Sequence, residues 1–213
     1  MEKTEKQAKR SDATKQKILQ AAEQAFAEKG LYGARVDEIT ELAGINKRMI
    51  YAHFGSKENL YVAVLDEVYK RLAESEQALL NRELDCIEMV KCCIEHAFTY
   101  LYENPTFVKI VLWENLNQAE YLKKTGAKAA KNIAFALLRK VIEQGMAQGV
   151  FRSDIDVEDL VLSTQMFCYS YYSNIYTMGH IMNANYFNRK EMNHRCAHIT
   201  DMILRYIIKT ESE

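Results

Sequence analysis

At 213 residues the chain can hold one sizeable core, or a small domain beside a larger one, and a hydrophobic content of 48% sets it apart from disordered sequence. A formal net charge of −1 excludes a bulk polycation, so any affinity for nucleic acid must come from a local patch. Residues 1–60 carry 11 basic and 9 acidic side chains, a net of +2, which leaves −3 for the remainder.

The chain opens on MEKTEKQAKR, polar and without a secretory core, and residues 1–11 are predicted as a flexible basic arm. Next comes a helix over KQKILQAAEQAFAEKG, residues 15–30. Val36, Ile39 and Ala43 then recur at helical spacing and form one apolar stripe. Gly44 follows where a left-handed residue would end that helix. Asn46 is a good N-cap for the next, about Lys47 to Phe54, which turns Ile50 and Phe54 inward. Gly55 closes it and Ser56 caps a further helix. Two short helices joined by a tight turn make a helix-turn-helix, whose second helix enters the DNA major groove. The charge agrees: no acid occurs between Leu42 and Lys57, while Lys47, Arg48 and Lys57 are present and Tyr51 and His53 add hydrogen-bonding tips. A solvated basic helix in a helical protein is the alternative.

With 8 glycines and 1 proline, breaks are sparse beyond this point, which favours long helices over many strands. A helix is predicted from Lys57 to near Leu80, with Leu60, Val64, Val68 and Leu72 four apart. The next runs from Cys86 to Tyr102 and stops before Pro105, and a shorter one covers Thr106 to Leu116. A long helix is expected from Glu120 to Gln148. Asp156 caps another that reaches Met178 and is interrupted at Gly179. The last, Lys190 to Lys209, carries a stripe of Met192, Cys196, Ile199, Ile203 and Tyr206. The fold class is all-α. No apolar run approaches the roughly 20 residues of a membrane helix. The five cysteines, Cys86, Cys92, Cys93, Cys168 and Cys196, form no CxxC framework and point to a reducing cytoplasm.

The N-terminal segments KQKILQAAEQAFAEKG, LYGARVDEI, AGINKRMIYAHF and SKENL together resemble the DNA-binding domain of the TetR family of bacterial transcriptional regulators. Ala25, Phe26, Gly30, Ile39, Ala43, Gly44, Lys47, Tyr51, Phe54, Lys57 and Leu60 stand where the family pattern wants them, over about residues 12–65. Three positions depart from it. Ala34 and Arg35 replace a threonine that often opens the second helix, which places an arginine near a phosphate. Asn46 replaces serine or threonine. Arg48 replaces a small residue, and an arginine there can read guanine bidentately. The DNA-contacting set is then Arg35, Asn46, Lys47, Arg48, Met49, Tyr51, His53 and Lys57. The boundaries are a DNA-binding domain over 12–57 and a helical effector-binding and dimerisation domain over 58–213.

FRSDIDVEDLVLSTQ and HRCAHITDMILRYI resemble the family's C-terminal region less specifically. The resemblance implies that the last two helices pair with a second copy, through Ser170, Asn174, Cys196, Ile199, Ile203 and Tyr206. The segment MFCYSYYSNIYTM, residues 166–178, agrees, being apolar or aromatic nearly all round; a helix buried wholly within the chain is the alternative. The resemblance also implies a small apolar or aromatic effector held among the middle helices. His96, Tyr100, Phe107, Trp113, Phe135, Phe167 and Tyr171 are candidate lining residues, and Glu114, Asn115, Asn117 and Gln165 candidate polar anchors.

No GxGxxG, Walker lysine loop, GxSxG or HExxH is present, so no enzyme, cofactor or metal is expected. His194 and His198 are four apart and could share a metal, but no third ligand is evident; Cys92 and His96, also four apart, could be a thiol sensor or a metal pair, the alternative being a buried cysteine that serves as a small hydrophobe. The functional expectation is a ligand-responsive repressor that binds a near-palindromic operator as a homodimer. An activator or an effector-independent regulator is the alternative, and more remotely an all-helical scaffold or enzyme.

Overall fold

Ile18, Ala22, Ala25 and Phe26 recur on one face of the first helix and are all buried, and that face seeds the N-terminal core. The computed structural model describes residues 2–126 and 135–209, with side chains from residue 11 onward. The described residues form ten α-helices, a 3-10 turn and no strand beyond an isolated bridge between Phe151 and Ile208. They divide into two compact units. One comprises Met1–Lys70 with Lys109–Lys128, the other Arg71–Val108 with Ala129–Glu213.

The first unit holds α1 (Glu2–Gly33), α2 (Val36–Ala43), α3 (Lys47–Phe54), the first part of α4 (Lys57–Gln77) and the second part of α6 (Pro105–Leu116). The backbone of the predicted arm continues α1 from Glu2, and the side chains of residues 1–10 lie outside the described residues. Phe26 and Tyr61 meet edge to face at 5.0 Å, and Tyr61 meets Tyr121 likewise at 5.5 Å. Tyr61 on α4 is therefore core to this unit, so the unit extends past the boundary expected at residue 57. Gly30 kinks α1 at φ 66°, and an added Cβ would stand 2.7 Å from the Trp113 ring. Only glycine accommodates both the backbone angle and the indole. The Trp113 Nε1–H donates to the Ala27 carbonyl at 3.3 Å, which satisfies the half-buried indole.

The second unit holds the rest of α4 and α6 with α5 (Cys86–Glu103), α7 (Ala136–Ala147), α8 (Val157–Ser173), α9 (Ile175–Ile181) and α10 (Arg189–Ile207). Helix α5 is central and packs against α7, α8 and α10. Val90, Ile94, Phe98, Leu138, Ile142, Leu160, Cys168, Met192, Ile199, Ile203 and Ile207 fill its core. Tyrosine hydroxyls stitch α8 into place: Tyr169 donates to Val108 O at 3.1 Å and Tyr172 to Phe98 O at 2.7 Å. Gly145 leaves the room that the Phe151 ring fills.

Two expected elements differ. The predicted helix 120–148 is a turn and a 3-10 segment, Leu122–Lys124, followed after residue 135 by α7; its stretch 127–134 lies outside the described residues. Gln118 and Ala119 adopt φ of 55° and 58°, which ends helical propagation. The long helix after Asp156 breaks at Asn174 rather than at Gly179, which lies inside α9. There the Asn174 amide donates to Ser170 O and Ser173 Oγ, an alternative to the helical ladder.

Candidate DNA interface and effector cleft

Local chemistry fixes the angle between α2 and α3. Gly44 adopts φ 63° and ψ 40°, and the N–H groups of Gly44 and Ile45 close the end of α2 on Glu41 O and Thr40 O. Asn46 Oδ1 then accepts from Arg48 N at 2.9 Å, which caps α3. Gly55 ends α3 at φ 78°, and Ser56 Oγ accepts from Asn59 N to start α4. Ile39, Ile50 and Phe54 are buried beneath, so the opposite face of α3 is left to solvent.

That face carries the expected contact residues. Lys47, Arg48, Met49 and Tyr51 are exposed and His53 half-buried, while Arg35 is exposed at the start of α2 with no side-chain cap. Two of the lysines are already engaged. Lys47 Nζ lies 2.7 Å from Asp37 Oδ1, and this ammonium holds the Asp37 carboxyl below its ordinary range. Lys57 Nζ donates to Ala34 O at 3.2 Å, in a half-buried position. Lys57 therefore has a structural partner that sequence spacing did not reveal. Arg48 has no side-chain partner among the described residues.

The aromatic residues expected to share one cavity separate. Trp113 lies in the first unit against Gly30, and Glu114 there is 2% exposed with Oε2 accepting from Leu122 N at 2.8 Å. Both are structural, because α6 changes unit between Val108 and Lys109. In the second unit His96 stacks on Tyr100, and Tyr100 meets Phe107 edge to face at 5.7 Å. Phe135 is 39% exposed at the start of α7. Phe167 and Tyr171 line a cleft of about 650 Å³ formed by α8, α9 and α10, with Ile175, Met178, His194 and Arg195 among its walls. Of the aromatic lining expected from sequence, only Phe167 and Tyr171 meet there. The turn at Asn174, absent from the single helix expected from Asp156 to Met178, sets Ile175 and Met178 against the cleft.

The expected pairing seam needs correction as well. Cys196, Ile199 and Ile203 are buried in the chain's own core, at 7%, 0% and 5% exposure, and present no surface to a partner. Tyr206, expected on the covered stripe, is exposed, with Arg152 over its ring at 5.0 Å, and Ile207 faces inward instead. Ser170 and Asn174 are exposed as expected. On α8 the exposed series is Leu162, Met166 and Ser170; on α10 it is His194, His198, Met202 and Tyr206, each four apart. Among the described residues no group of three or more His, Cys, Asp or Glu side chains could hold a metal ion. Arg82 donates to Cys92 Sγ at 3.1 Å while His96 stacks on Tyr100, so that pair is engaged separately. Burial pushes the Cys168 thiol up to about 12, where it is unreactive at neutral pH.

A capped helix-turn-helix with a cationic open face, joined in one chain to a second helical unit with its own cleft, is the build of a DNA-binding transcriptional regulator. Residues 18–64 match the bacterial regulatory proteins of the tetR family, and residues 87–203 match the tetracyclin repressor-like C-terminal domain. The chain belongs to the TetR family. It is 33% identical over 204 residues to the HTH-type transcriptional repressor NicS of Pseudomonas putida, covering 95% of this chain and 96% of that protein. The HTH-type transcriptional repressor SCO4008 of Streptomyces coelicolor is 31% identical over 152 residues, 70% of this chain and 73% of its own. The fatty acid degradation regulator FadR of Bacillus halodurans shares the fold at a TM-score of 0.71 and 19% identity, over 89% of this chain and 94% of its own. No described helix is long and apolar enough to cross a membrane.

Proposed function

We propose that this regulator is a repressor that occupies a near-palindromic operator as a homodimer and leaves it when a small apolar or aromatic molecule binds. The observation that carries the reading is the face of α3. Buried Ile50 and Phe54 orient it, and Arg48, Met49 and Tyr51 stand open on it. NicS, matched over nearly the whole chain, and SCO4008, matched over 70% of it, are both named repressors. Lys47, Lys57 and Arg35 act as phosphate ligands and position α3, while Arg48 and Met49 meet base edges. One copy reads one half-site, so a dimer places two α3 helices about 34–36 Å apart on successive major grooves. Such a protein works on chromosomal DNA in the cytoplasm and catalyses nothing.

The dimer face is the pair of exposed stripes on α8 and α10. Leu162, Met166 and Met202 are 57%, 49% and 42% exposed, a run of apolar surface that a two-fold mate would cover. The effector occupies the cleft beside it, with Phe167, Tyr171 and Ile175 against its apolar body and Arg195 or a histidine against a polar end. Because Met166, Ser170, His194 and His198 line both the cleft and the stripes, a bound molecule changes how the copies meet, and through them the spacing of the α3 helices.

Selection of bound duplexes from genomic fragments, followed by sedimentation of the complex, tests the reading. Two chains per recovered site and an inverted repeat within it are expected. A folded protein that retains no sequence preference would overturn it.

A further inference from the structure

We propose that Asp37 is an internal competitor for DNA: it pairs with Lys47 in the free protein and must yield that ammonium before α3 can use it on a phosphate. The inference rests on the reading of Lys47 as a phosphate ligand. The pair bridges α2 to the first residue of α3 at 2.7 Å, with the two side chains 67% and 49% exposed. Thr40 Oγ1 donates to Asp37 O at 2.7 Å and fixes the first turn of α2, so the carboxylate is presented from a settled helix end. The neighbouring acid, Glu38, is occupied by Lys29 at 2.9 Å. From Leu42 to Lys57 the chain has no other acid. Asp37 is thus the one carboxylate that the described geometry pairs with a cation of α3.

The consequence follows from counterion release. A free ammonium at the interface displaces a condensed cation when it meets a phosphate, and this release supplies affinity and salt dependence. An ammonium already neutralised by a carboxylate supplies less, and the displaced carboxylate then faces the phosphate with like charge. Exposed pairs of this kind are weak enough to exchange. Asp37 therefore lowers the sequence-independent part of binding, which keeps the regulator from being held on non-operator DNA, while Arg48 remains unpaired for base reading.

The test is fluorescence anisotropy of the full chain on a random-sequence duplex at several salt concentrations, with circular dichroism to confirm each variant's helicity. Asp37→Asn should tighten binding by about 2–5-fold and steepen the salt slope by up to about one unit, and Asp37→Glu should behave as the parent. The gain should vanish in the Asp37→Asn/Lys47→Ala double variant. Asp37→Ser, a residue favoured at helix starts, repeats the test should the asparagine disturb α2. Unchanged affinity in Asp37→Asn, or an equal gain with Lys47 absent, overturns the proposal. If Lys47→Ala alone binds as tightly as the parent, the phosphate role of Lys47 fails and the proposal with it. If Lys47→Ala weakens binding while Asp37→Asn does nothing, the proposal alone fails.

Discussion

Replacing Lys57 by methionine keeps the aliphatic stem and removes the ammonium, and two separable losses should follow. In the free protein Nζ donates to the Ala34 carbonyl at 3.2 Å, tying the start of α4 to the link between α1 and α2. A hydrogen bond from a charged donor contributes about 1.5–3 kcal/mol. Lys57 is only half-buried, so the lower end applies, about 1.5 kcal/mol. For a chain of this size that corresponds to a fall in Tm of about 3–6 °C. On DNA the loss of one phosphate contact should lower the salt slope by about 0.9. Between 50 and 200 mM salt the parent would then lose about 3.5-fold more affinity than the variant. Thermal melting by circular dichroism reads the first loss and anisotropy across that salt range the second. A Tm within about one degree of the parent refutes the structural role assigned to the Ala34 bond. An unchanged slope refutes the phosphate role. Binding should weaken equally on operator and scrambled duplexes, because a phosphate contact carries no sequence information.

Arg48→Ala should leave Tm unchanged, since the side chain is exposed and unpaired, but cost roughly 1–3 kcal/mol at one base pair of the operator. An equal loss on scrambled DNA would make Arg48 a phosphate ligand instead. Leu162→Glu combined with Met166→Glu should give a folded monomer in sedimentation with nearly parental helicity; a persistent dimer rules out the α8 stripe. Ile199→Glu should instead unfold the second unit, because it places an unpaired charge at a position of 0% exposure. A stable monomeric Ile199→Glu would instead place Ile199 in the dimer seam.

The helix-turn-helix was legible because its determinants are local. Gly44, Asn46, Gly55 and Ser56 each act within a few residues through backbone angle or cap, so the sequence states their geometry directly. The second unit was legible only as helices. A stripe such as Met192, Cys196, Ile199 and Ile203 shows that one face is covered, but the same spacing serves a face covered by α5 and a face covered by another copy. What separates the two cases is the complementary face, and there Leu162, Met166 and Met202 are read as exposed only once α5 is in place. The turn at 117–126 had no local signal at all. Gln118 and Ala119 enter the left-handed region without glycine, and Glu114 holds the result by accepting Leu122 N from eight residues back. Trp113 shows the same limit from the other side. Aromatic residues near a proline suggested a pocket wall, yet the indole belongs to Gly30, 83 positions earlier, whose missing side chain makes the space. Gly30 itself was recognised in the N-terminal pattern. The two residues are halves of one packing device, and only the half that also bends the backbone could be read from its neighbours.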